Sequence, residues 1–132
     1  MRRARIVALA WIPVPVLFTL WTVAPAPDPV PGVEIERVGY FKDDDRFRVM
    51  AYRADAPLTR AQAEVALKGV MHSDGAMTWA VIYGPGGRDP GHALSALARR
   101  ADALGMINAP PFDGWDWHLS IRHDGLRTLT GH

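Results

Sequence analysis

Apolar positions follow three different spacings along this chain, and each predicts a different kind of element. The first is a continuous run: Ile6 to Val23 holds 18 residues without a charge, directly behind Arg2, Arg3 and Arg5. As a helix at ~1.5 Å per residue it would reach roughly 27 Å, close to the hydrocarbon thickness of a bilayer. The excess of positive charge on its N-terminal side predicts an N-terminus held in the cytoplasm and a remainder that lies outside. Residues 1–24 are therefore expected to be a signal-anchor in the cytoplasmic membrane. The competing reading is a cleaved signal peptide, and it meets Pro25 or Pro27 just beyond either small-residue cleavage point. Pro25 to Gly32 carries four prolines in eight residues, a composition that favours an extended spacer.

The second and third spacings alternate after that. Glu34–Tyr40 and Arg46–Arg53 are rich in β-branched and aromatic residues around the polar turn Lys42-Asp43-Asp44-Asp45, which predicts a β-hairpin. A capping box, Thr59-Arg-Ala-Gln62, opens a helix at Arg60, because the threonine hydroxyl and the glutamine side chain can satisfy each other's backbone N–H. Ala63, Ala66, Leu67, Val70 and Met71 give it an apolar stripe, Glu64 and Lys68 an i,i+4 pair, and Gly75 an end. Ala76–Tyr83 is apolar almost throughout, as in a strand covered on both faces or at the centre of a sheet. A second helix is expected from Pro90 to Leu104, capped by Asp89 and stopped by Gly105. Trp115–Arg122 alternates most clearly of all: Trp115, Trp117, Leu119 and Ile121 on one face, Asp116, His118, Ser120 and Arg122 on the other. After the turn His123-Asp-Gly125, Leu126 to Leu129 can add a short strand.

The order ββαβαβ predicts an α/β fold of the α+β type for residues 33–132: one two-layer domain with a four-stranded mixed sheet. Both helices are expected on one face, with the strands flanking the first helix parallel. The opposite face, with Tyr52 and the Asp116–Arg122 row, would then be free to meet a partner.

Composition narrows the function classes. Three of the 15 basic residues precede residue 6 and only Asp28 of the 14 acidic ones precedes residue 33, so residues 33–132 keep 12 against 13 and are near neutral. That balance gives no basic footprint for nucleic acid. The absence of cysteine removes disulfides, thiolate metal sites and thiol catalysis together. The Gly-rich stretch Gly84–Gly91 joins a strand to a helix, where a phosphate could be cradled. Yet no Lys-Ser/Thr follows it, and Asp89 stands at the helix N-terminus where an anion would sit. Three adjacent aspartates at 43–45 lack the alternation, glycine and closing glutamate of a calcium loop.

No complete catalytic set is present, and no cofactor or metal is expected. The reading favoured by these residues is a membrane-anchored or exported envelope module that acts without catalysis, by binding a protein partner or its own copy. Asp116 and His118, ~6.5–7 Å apart on one strand face, are the candidates for an alternative: a small hydrolase or metal enzyme, with His72 or His92 as a further member. A small-ligand sensor walled by Phe112, Trp115 and Trp117 is the third reading.

Overall fold

The computed structural model describes residues 27–43, 46–70 and 77–132. The expected membrane segment, His72, Gly75, Asp44 and Asp45 all lie outside the described residues. Among the described residues no helix is long and apolar enough to cross a membrane.

The domain is an α+β fold with five strands: β1 (Ile35–Lys42), β2 (Phe47–Ala54), β3 (Met77–Tyr83), β4 (Trp117–Ile121) and β5 (Arg127–Gly131). They lie in the sheet in sequence order. β1 and β2 form the expected antiparallel hairpin, β2 and β3 are parallel across the helical crossover, and β4 and β5 close the sheet antiparallel. The segment after Gly125 is thus a full fifth strand, one more than the pattern predicts. Helix α1 spans Arg60–Lys68, α2 His92–Ser95 and α3 Arg100–Asn108.

The helices do not share a face, which corrects the two-layer expectation. Met50, Tyr52, Ala54, Ile82, Leu119 and Ile121 pack with Ala66 and Leu67 of α1. From the other side of the same strands, Phe47, Val49, Ala51, Val81 and Tyr83 pack with Leu94 of α2 and with Ala103 and Ile107 of α3. The physical reason lies in β2 and β3. Seven of the eight residues of β2 are buried, and a strand apolar on both sides needs a layer on each. Tyr52, expected on an open face, is fully buried under α1, where its hydroxyl donates to Met50 Sδ at 3.2 Å.

The capping box forms as the sequence predicts: Gln62 N–H donates to Thr59 Oγ1 at 3.2 Å and Thr59 N–H to Gln62 Oε1 at 2.9 Å. Thr59→Ala should cost about 1 kcal/mol, read as a lower urea midpoint at constant m-value. Along α1 the ion pair is Arg60–Glu64, at 3.6 Å, where the sequence suggests Glu64–Lys68.

The second predicted helix is two. Ala96–Arg99 interrupts it, α2 starts after Gly91 at φ 53°, and Asp89 Oδ1 accepts from Gly91 N–H at 3.0 Å. The tightly turned glycine takes the position assigned to helix, and α3 begins only at Arg100. Gly105 consequently lies inside α3, exposed, with open space where a Cβ would stand. Gly105→Ala should therefore stabilise the domain, by about 0.5–1 kcal/mol, in thermal or urea unfolding. A helix-terminating glycine at positive φ would give the opposite sign.

Candidate functional site

On the face that carries α2 and α3, cover is uneven. α2 packs chiefly on β1 and α3 on β2, on the side of the sheet away from β5. The part of the sheet left open carries Trp79 from β3, His118 and Ser120 from β4, and Thr128 and Thr130 from β5, with Trp115 at its border.

Trp115 reaches this face through a step in the chain. In the β3–β4 register Ile82 opposes Trp117, but the N–H of Asp116 also bonds to the Ile82 carbonyl, at 2.8 Å. Such a one-residue irregularity re-aims the neighbouring side chains, as a bulge does. It turns Trp115 away from Trp117, with which simple alternation groups it. Trp117 joins the α1 core and donates its Nε1–H to the Leu58 carbonyl at 3.1 Å, while Trp115 donates to the Ile107 carbonyl of α3 at 3.2 Å.

His118 sits between two indoles. Its ring centroid is 4.6 Å from that of Trp79 and 5.1 Å from that of Trp115, and the His132 ring meets Trp115 edge-on at 4.3 Å. Nε2 of His118 is buried and has no hydrogen-bond partner among the described residues. Burial lowers its pKa from the ordinary 6.5, since a poorly solvated site disfavours the imidazolium. The sign for stability follows directly. Below pH 6.5 the unfolded chain binds the proton first, so stability falls as pH drops from there through the lowered folded value. His118→Phe should flatten this acid limb relative to the unsubstituted protein, in urea titrations at pH 7 and pH 5.

Asp116 and His118 occupy different surroundings. The Asp116 carboxylate lies against Gly84, so close that a Cβ on that glycine would collide with it. It helps line a shallow depression of about 510 Å³ with Pro57, Arg88, Pro111 and Asp113. His118 stacks in the aromatic cluster, and no hydrogen bond joins the two. His92 stands on α2 over β1, three strands from β4 and therefore on the order of 14 Å away. No group of three or more His, Cys, Asp or Glu among the described residues is placed to hold a metal ion. Phe112, Trp115 and Trp117 do not share one wall: Trp115 and Trp117, both partly buried, pack against the cores of opposite faces.

The Gly-rich connection is held by Arg53, at the end of β2. Its Nη1 donates to the Gly87 carbonyl and to Asp89 Oδ2, both at 2.9 Å, and Nη2 to the Pro85 carbonyl at 3.1 Å. The loop thus turns carbonyls inward to a cation it already contains. A phosphate cradle needs the reverse, with backbone N–H groups converging. Next to it, a second groove of about 630 Å³ runs between Pro27–Val30 and the start of β1, bordered by Arg53, Asp55 and Pro85.

Asp43 belongs to the scaffold. Its carboxylate accepts from Phe47 N–H at 3.2 Å and from Arg100 Nε at 3.1 Å, and the Arg100 guanidinium lies 4.4 Å from the centre of the Phe47 ring. The aromatic cluster and the Arg53 clamp are the two features that reading the sequence misses. The available signals were Trp79 in the middle of a largely apolar strand and an arginine at the C-terminal end of a buried one. The chain matches no protein-family model, no curated protein and no solved structure.

Proposed function

We propose that this domain is a non-enzymatic protein-interaction module. Its contact surface is the open part of the sheet formed by Trp79, Trp115, His118, Ser120, Thr128 and Thr130. The observation that carries the reading is the aromatic cluster itself: two half-buried indoles lie beside a histidine whose buried Nε2 has no partner among the described residues, at the margin of the sheet beyond the cores under α2 and α3. Interface cores are enriched in tryptophan, and binding energy concentrates on aromatic anchors that a partner desolvates fully. The uncharged run at Ile6–Val23 behind three arginines supports a location at the outer side of the cytoplasmic membrane, anchored or released.

A photoreactive amino acid at Ser120 of the full chain tests this in cells. Irradiation should give one discrete covalent adduct to a different protein. The adduct should disappear when Trp79→Ser is added and should be absent when the probe replaces Val65, exposed on α1. Equal labelling from Ser120 and Val65, or none from Ser120, would sink the reading.

A further inference from the structure

A sheet has two edges, and among the described residues the two are covered unequally. At β1, Ser95 of α2 accepts the Tyr40 N–H at 3.1 Å, and the neighbouring Gly39 is so close beneath Gly91 that a Cβ would lie 2.9 Å from the Gly91 carbonyl oxygen. The pairing of β1 also shifts register between Arg37 and Gly39. Bulges and covering elements of this kind stop strand addition.

β5 is different. The bonds Arg122 N–H to Leu126 C=O and His132 N–H to Asp116 C=O fix the alternation of the β4–β5 ladder. Residues 126, 128, 130 and 132 point their backbone groups at β4, so Arg127, Leu129 and Gly131 point theirs outward. The guanidinium of Arg60 confirms that direction independently, since its Nη2 donates to the Leu129 carbonyl at 3.0 Å. That carbonyl keeps a second lone pair, and among the described residues no side chain accepts from the outward N–H groups of 127, 129 and 131.

We infer that β5 pairs antiparallel with β5 of a second copy, about a twofold axis through Leu129, to make one continuous ten-stranded sheet from two five-stranded ones. The sequence Arg127-Thr-Leu-Thr-Gly131 is complementary to itself in this register and to a lesser degree in others. Leu129 opposes Leu129 of the second copy on the α1 face, where it already packs against the core. Thr128 opposes Thr130 on the other face, as a non-hydrogen-bonded pair whose side chains approach closely, and threonine pairs of this kind can hydrogen-bond across strands. Arg127 opposes Gly131, so the two like charges are kept apart. All outward backbone groups of residues 127, 129 and 131 find partners. Arg60, reaching over the edge, tempers the pairing, because the second copy must share or displace its bond to Leu129. This inference concerns the sheet edge and does not depend on what the aromatic face binds.

The chain has no cysteine, so single cysteines report the register in the full-length protein. Leu129→Cys lies on the axis, within disulfide reach of its own copy. Arg127→Cys lies about 14 Å or more from its copy, at ~3.4 Å per residue over four residues, beyond the ~7 Å limit for a bridge. Mild oxidation should give a covalent dimer from Leu129→Cys and not from Arg127→Cys, although position 127 is the more exposed. In the Leu129→Cys background, Thr128→Lys with Thr130→Lys should lower the yield about tenfold by opposing like charges, whereas Thr128→Lys with Thr130→Glu should restore it. Arg60→Ala should raise it. Equal cross-linking at 127 and 129, no cross-link at 129, or identical yields from the Lys/Lys and Lys/Glu variants would each overturn the proposal.

Discussion

Leu94→Ala should cost the domain about 3 kcal/mol, within the range for emptying a fully buried leucine site, and should uncouple α2 from the sheet. α2 has four residues, and Leu94 is its one buried side chain. So short a helix has no stability of its own, because the unfavourable first turn is never repaid by propagation. It exists because Leu94 fills the space over Gly39 beside Phe41 and Val49, where a Cβ on Gly39 would come within 3.2 Å of the Leu94 side chain. Urea unfolding gives the energy. Hydrogen exchange gives the mechanism: the Tyr40 amide, held by Ser95 Oγ, should lose protection by a larger factor than amides of β3. A loss below about 1 kcal/mol, smaller than even a mild core truncation, would mean that the Gly-rich connection alone positions α2.

Arg53→Ala should follow with about 2–3 kcal/mol, the scale of losing charge-assisted hydrogen bonds from a half-buried group. One guanidinium serves three acceptors, the carbonyls of Pro85 and Gly87 and the carboxylate of Asp89. The ion pair is screened only partly, with the side chains 33% and 19% exposed. Asp89 in turn accepts the Gly91 N–H at the start of α2, so the clamp reaches from β2 to the helix. Limited proteolysis within residues 84–91 should accelerate sharply. Arg53→Lys should rescue little, because an ammonium cannot present the planar fork that spans these acceptors. Unchanged cleavage in the alanine variant would show that the loop is set by its glycine turns and not by Arg53.

The sequence was most legible where a signal is local. The capping box at Thr59 and Gln62, the β1–β2 hairpin and the buried strand at Met77–Tyr83 depend on neighbours within a few residues, and all three appear in the structure. Layering was not legible in the same way. Whether α2 and α3 join α1 or cross to the opposite face is decided by β2, whose polar-looking Arg48, Met50 and Tyr52 side is buried as completely as its other side. Arg48 hides in the core by donating its Nε–H to Thr78 Oγ1 at 2.8 Å, a cross-strand partner that only the parallel register supplies. Gly105 is a similar case: a glycine after a leucine-rich stripe reads as a stop, yet Arg99 and Arg100 begin a fresh helix that runs through it. At the site, Trp115 and His118 differ by an odd number of positions and so read as opposite faces. The irregular bond from Asp116 to Ile82 brings their rings together, and no periodicity can reveal a single displaced hydrogen bond.

The seal that α2 places on β1 sets a limit on assembly. In the language of polymer chemistry, a sheet with two reactive edges is a bifunctional monomer and grows into fibres, while one with a single reactive edge is its own chain terminator. With Ser95 and Gly91 over β1 and, among the described residues, the outward N–H groups of β5 unsatisfied, the proposed pairing would consume the one reactive edge, and growth would stop at the pair. Loosening α2 would restore the second end, so a helix of four residues stands between a finite assembly and an open-ended one.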